Sequence, residues 1–200
     1  MKRPADQASV LRQIRSLHVV VIHPHDQDGE ELLAQLHRIG CNVHTAWPKL
    51  ESLPPDAGLV LMAVRPETLR VEYPWLDQPT TPPIIPVVTY ENPITVEAVL
   101  RLNAYATIAS PVRSFGLLTA IAVALSQHKG RQAREHYIQR LEQKSASQRI
   151  VQQAKQVMME TRGVSEDEAY AFLRSQSMSK RANIEDIAHG IVEAHKLLGL

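Results

Sequence analysis

From Val112 the hydrophobic pattern of this chain is helical and finds no clean stop until Gly163, whereas the residues before it alternate short apolar runs with helical stretches. That change of period separates a part that can build a covered parallel sheet from a part that can form only helices. In the first part, Leu17–Ile22 is a β-branched apolar run closed by His23-Pro24, which reads as a buried strand. Glu30–Ile39 reads as a helix with Leu32, Leu33, Leu36 and Ile39 on one face and Gly40 as its stop. Further strands are expected at Cys41–Ala46, Gly58–Val64, Pro83–Tyr90 and Tyr105–Ala109, with a helix over Ile94–Asn103. Five prolines in residues 66–83 leave room there for only a short or irregular helix.

Strands alternating with helices imply a parallel sheet covered on both faces, and the lengths suit a flavodoxin-like α/β domain of strand order 2-1-3-4-5. With 44% apolar residues and no apolar run of membrane-spanning length, the chain is expected to be a folded cytoplasmic protein with no membrane segment. Its start, Met1-Lys2-Arg3-Pro4, has no apolar core behind it, so no secretory signal is expected. The lone Cys41 forms no internal disulfide, which suits a reducing compartment, and reads as a small buried residue. Residues 1–128 hold 10 Lys/Arg and 12 Asp/Glu, whereas residues 129–200 hold 12 and 9, so only the C-terminal end has the charge to meet a polyanion.

The strings Leu59-Val60-Leu61-Met62-Ala63-Val64, Pro86-Val87-Val88-Thr89 and Ile108-Ala109-Ser110-Pro111 resemble a two-component receiver domain, over residues 15–128. Its phosphorylation chemistry is missing. Ala63 stands where a receiver has its acceptor carboxylate, and a methyl group takes no phosphoryl group. His23-Pro24 replaces the acidic residues that would hold Mg²⁺, although Asp26 and Asp28 lie close by in the loop. Ser110 replaces the usual lysine, and only Thr89 keeps its type. The expectation is a pseudo-receiver that phosphorylation does not switch. His23-x-His25 with Asp26 has the look of a metal site but no third ligand set, and solvated or capping side chains are the simpler reading. With no phosphate loop, nucleophile elbow or zinc-protease motif in the sequence, neither an enzyme nor a cofactor is expected.

Leu117, Leu118, Ile121, Ala124 and Leu125 form the stripe of a last receiver helix. Gly130 costs about 1 kcal/mol in a helix and marks a hinge or a break. Residues 129–146 are then a polar helical connector whose apolar residues are Tyr137, Ile138 and Leu141. Such a helix either pairs with a second copy in a short coiled coil, giving a homodimer, or is a solvated linker.

Residues 147–200 carry three amphipathic patterns. Ile150, Val151, Ala154, Val157 and Met158 share one face, and Gly163 ends that helix. Ser165-Glu166-Asp167-Glu168 is a capping box for a second helix, with Ala169, Tyr170, Leu173 and Phe172 as inward residues. Asn183 caps a third, with Ile184, Ile187, Ala188, Ile191, Val192 and Leu198. At 100° per residue, Lys144, Lys155 and Arg162 fall within about 20° of one another, flanking the first apolar face. Arg174 lies on the second helix and Lys180-Arg181 in the turn after it. By charge alone these are solvated faces as readily as a nucleic-acid site.

The runs Ile150–Met159, Gly163–Arg174, Ser177-Met178 and Asp186-Ile187-Ala188 resemble the ANTAR domain of transcription antitermination regulators. Joined to a silent receiver and a helical connector, the chain is similar over its length to the aliphatic amidase regulator family. The resemblance implies an RNA-binding positive regulator acting at leader-mRNA hairpins, through which an RNA polymerase elongation complex then reads past a terminator. It also implies a small-molecule-sensing negative regulator, of the amide-binding type, as partner. Lys155 is the residue it favours for RNA contact; Arg149, Arg162, Arg174, Lys180 and Arg181 are inferred from charge and placement. Two alternatives stand beside it, a DNA-binding response regulator and a protein-interaction adaptor. The third helix, with Lys196 against Glu185, Asp186 and Glu193, makes a poor basic recognition helix.

Overall fold

The computed structural model describes residues 14–113 and 115–198; the opening segment, with its expected lack of a secretory signal, and the side chain of Leu198 lie outside the described residues. Two compact units are present, Met1–Gln132 and Ala133–Leu200.

In the first unit the apolar runs become strands β1 (His18–Ile22), β2 (Asn42–Ala46), β3 (Leu59–Val64), β4 (Ile84–Val88) and β5 (Ile108–Ala109). Neighbours pair in parallel in the order β2-β1-β3-β4-β5, which is the expected flavodoxin-like arrangement. Alternate residues of a strand face opposite sides, and the two sides have separate cores. Val19, Val21, Leu59, Leu61, Ile85 and Val87 pack beneath helix α1 (Gln27–Ile39) and the first turns of helix α4 (Leu117–Arg162), through Leu32, Leu36, Leu117 and Ile121. Val20, Ile22, Val60, Met62 and Ile84 pack on the other side against Tyr73 and Trp75.

That second side is covered in an irregular way because of its prolines. Only one turn of helix forms, α2 (Pro66–Leu69). Two ring donors then fasten the loops: Tyr73 Oη donates to the Pro48 carbonyl at 2.8 Å and Trp75 Nε1 to the Leu50 carbonyl at 2.9 Å. Helix α3 (Pro93–Arg101) starts at Asn92, whose side chain accepts the Thr95 amide at 2.9 Å. Helix α4 runs through Gly130 without interruption, so the expected break does not occur. One glycine's cost is small against a helix of 46 residues.

The second unit packs the C-terminal turns of α4 with α5 (Glu166–Lys180) and α6 (Ile184–Leu198). Gly163 ends α4 at φ +65°, a conformation that glycine adopts without strain. Ser165 and Glu168 close the capping box reciprocally, and the Asn183 carbonyl accepts the first amides of α6. The small core is Ala154, Met158, Ala169, Leu173, Ala188 and Val192. One fully buried alanine on each helix, Ala154, Ala169 and Ala188, lets the three backbones come close. No helix among the described residues is long and apolar enough to cross a membrane.

Candidate nucleic-acid interface

The cations of the second unit fall into three settings. Lys155 is inward: its side chain is 14% exposed, and Nζ lies 2.5 Å from Glu166 Oε1. The Lys155 hydrogen bond and charge, with help from Gln152, hold the Glu166 carboxyl below the usual glutamate range. Arg162 sits with its guanidinium carbon 5.1 Å from the centre of the Phe172 ring, a cation–π contact across the same helix pair. Both residues therefore fasten α5 to α4.

Arg149 lines a groove of about 680 Å³ between α4 and α6 together with Glu142, Glu185 and Asp186. Three carboxylates beside one arginine make that groove unfavourable for phosphate. Arg174, Lys180 and Arg181 are exposed and make no ion pair among the described residues. Arg181 holds the C-cap of α5 at φ +51°, ψ +37°, left-handed backbone that a non-glycine residue rarely adopts. The six expected RNA-binding residues thus stand in three different settings. Two hold the helices together, one faces an acidic groove, and three remain free on α5 and its end.

Beside those three stand two residues that sequence reasoning does not assign to the site. Tyr170, expected inside, is 47% exposed, and Met178 is 66% exposed. Ala169 and Leu173 fill the inward positions, with Phe172 partly buried against them. A signal for this surface is present in the sequence: Ala169 to Ile184 contains no Asp or Glu. On the connector, Tyr137, Ile138 and Leu141 are 62%, 52% and 48% exposed, and every residue from 131 to 146 is exposed.

In the first unit, the strand ends that would hold a phosphorylation site hold internal bonds, with the buried His23 Nε2 left without a partner among the described residues. Ala63 is buried, and its carbonyl accepts the Thr68 hydroxyl at 2.8 Å. Asp26 caps α1 by accepting the Gly29 amide at 2.9 Å, and its second oxygen takes the Arg65 guanidinium at 3.2 Å. Asp28 accepts the Ser110 hydroxyl. His23 is buried with Nδ1 3.0 Å from the Pro24 carbonyl. Arg65 has no signal in the sequence: it gives Asp26 a cationic partner from the end of β3.

A doubly covered parallel sheet without its acceptor carboxylate, followed by a long helix and a three-helix ANTAR domain, is the architecture of an antitermination regulator with a pseudo-receiver. The AmiR N-terminal family model matches residues 17–125 and the ANTAR domain model residues 139–192, and the chain belongs to the AmiR family. It is 27% identical over 186 residues to the aliphatic amidase regulator of Pseudomonas aeruginosa, covering 92% of this chain and 95% of that one. Among solved structures, it is similar to the response regulator StyR (19% identity, 90% of this chain and 100% of that chain, TM-score 0.49). A CheY-like response regulator from Mesorhizobium loti is similar at 19% identity over 56% of this chain and 98% of its own, with a TM-score of 0.43.

Proposed function

We propose that this protein is an RNA-binding positive regulator acting by transcription antitermination. Its ANTAR domain, residues 147–200, binds a hairpin in a leader transcript, and RNA polymerase then reads through because the terminator does not form. The observation that carries the reading is the set of unpaired cations Arg174, Lys180 and Arg181 on an ANTAR domain, beside exposed Tyr170. Lys155 enters as the residue that holds α5 in place for those contacts. Control comes from a small-molecule-sensing protein of the amide-binding type, and not from phosphorylation. Buried Ala63 and the Asp26–Arg65 pair support that part, as does the similarity to an aliphatic amidase regulator. The connector, residues 129–146, pairs with a second copy along Tyr137, Ile138 and Leu141, because an isolated exposed helix of that composition is marginal in water.

The test is transcription in vitro from a template with its own leader and terminator, alongside binding to the leader hairpin and to a scrambled RNA. Read-through should rise with the protein, and binding should weaken steeply with salt. Lys180→Ala with Arg181→Ala should lower the salt slope by about 1 for each phosphate that is no longer neutralised. Equal binding of hairpin and scrambled RNA would remove the specific claim, and preference for a duplex operator would favour the DNA-binding alternative.

A further inference from the structure

We infer that the exposed face of α5 is a stacking platform for unpaired bases of an RNA loop, with Tyr170 as its base-contacting ring and Arg174 as its phosphate contact. This rests on the RNA-binding reading and adds which surface and which side chains are used.

Charge is sorted along α5. All three of its carboxylates are in the first turn, at Glu166, Asp167 and Glu168. Glu166 is bound to Lys155 and Glu168 to its own cap. From Ala169 to Ile184 no carboxylate follows, while Arg174, Lys180 and Arg181 do. Tyr170, Arg174 and Met178 are spaced by four residues, so successive side chains are offset by about 40° and stand on one side of the helix. None of them belongs to the core, whose α5 contribution is Ala169 and Leu173 with Phe172 packed against them. The Tyr170 hydroxyl and the Arg174 guanidinium have no hydrogen-bond partner among the described residues.

A ring, a guanidinium and a thioether in a row, next to cations and away from carboxylates, select a flat anionic ligand. Nucleobases are flat, and every base has a face that an aromatic ring can cover. In a duplex those faces are buried in the stack, so a ring on a convex helix gains contact only with bases splayed from a loop, bulge or end. A second copy fits poorly. Symmetric pairing of this face would bring together two copies of a surface that holds cations and, from Ala169 to Ile184, no acid to offset them.

The experiment uses the full chain and a pool of hairpin RNAs with one fixed stem and a randomised loop, compared with a blunt duplex of the same stem. Tyr170→Ala should weaken loop-RNA binding about tenfold or more and leave duplex binding unchanged. Tyr170→Phe, which keeps the ring, should stay within about twofold of the starting protein, and Arg174→Gln should reduce both affinity and salt slope. Ultraviolet cross-linking should attach Tyr170 to a loop base. If the unaltered protein selects loop RNA and Tyr170→Ala and Arg174→Gln select it equally well, this platform is wrong and the RNA-binding reading stands. If the unaltered protein binds none of the pool, both are wrong. A change of molecular mass by light scattering in Tyr170→Ala, with RNA affinity unaltered, would make the face a protein interface and overturn the inference.

Discussion

Lys155 Nζ and Glu166 Oε1 are 2.5 Å apart, joining the C-terminal part of α4 to the first residue of α5 across the turn at Gly163. The pair fixes how α5 lies on α4, and with it where Tyr170 and Arg174 are presented. Lys155→Met and Glu166→Gln should each lower the thermal stability of the C-terminal unit and weaken RNA binding, and the double variant should lose less than the two single effects added together. Were Lys155 itself on the phosphate, Glu166→Gln would release it and leave RNA binding as strong or stronger. Thermal unfolding and RNA titration of the three variants decide between these outcomes.

Acid should loosen the same corner. The Glu166 carboxyl is held low by Lys155, and the Glu168 carboxyl by the Ser165 amide and then the Ser165 hydroxyl. A carboxylate whose pKa is lowered by folding stabilises the fold above its ordinary value of 4.5. That contribution disappears as pH falls through the lowered value. The melting temperature of the C-terminal unit should therefore drop on acidification below pH 4.5, less so in Glu166→Gln and Glu168→Gln. Thermal melts by circular dichroism across that window check this, and a slope unchanged in both variants would contradict it.

Arg181 keeps an unfavourable backbone conformation that a glycine would relieve. Such positions are retained where the side chain has a use. Arg181→Gly should raise stability by up to about 1 kcal/mol while weakening hairpin binding. Loss of stability in this variant would mean that the arginine side chain supports the fold itself.

How much of the molecule is legible in its sequence depends on whether a feature is local. β1, β3 and β4 are nearly all buried, so they stand out as continuous apolar runs. Gly163 and the Ser165–Glu168 box are signals contained within a few residues, and both appear where expected. What stays hidden needs a distant partner. A helical wheel places Lys155 on a cationic stripe but cannot show that α5 brings Glu166 to it, 11 residues further on. Arg65 and Asp26 are 39 residues apart and meet only because β1 and β3 are neighbours. Apolar spacing places Tyr170 inward beside Ala169, Phe172 and Leu173, but only the last three meet the partners that α4 and α6 bring to the core.

The connector yields a prediction about assembly. Ile138 and Leu141 lie three residues apart on one side of α4, and both are about half exposed, with Tyr137 beside them. Ile138→Glu with Leu141→Glu should halve the molecular mass seen by light scattering and leave the first unit's unfolding unchanged. A protein already monomeric at micromolar concentration before substitution would remove the coiled-coil proposal.

The silent receiver can be tested by trying to restore it. Ala63→Asp returns a carboxylate to the acceptor position, yet the residues around it remain committed elsewhere. Asp26 is divided between the Gly29 amide and the Arg65 guanidinium, and Asp28 takes the Ser110 hydroxyl. Mg²⁺ needs carboxylate oxygens that are free to face it, and a fixed guanidinium competes for the one nearest to hand. Ala63→Asp alone should therefore incorporate phosphate from acetyl phosphate and Mg²⁺ only at background level by mass spectrometry. Adding His23→Asp and Arg65→Ala, which supplies an acid after β1 and releases Asp26, should raise incorporation above background. Efficient labelling of the single variant would show that the missing acceptor was the whole defect and that Arg65 has no part in keeping the domain silent.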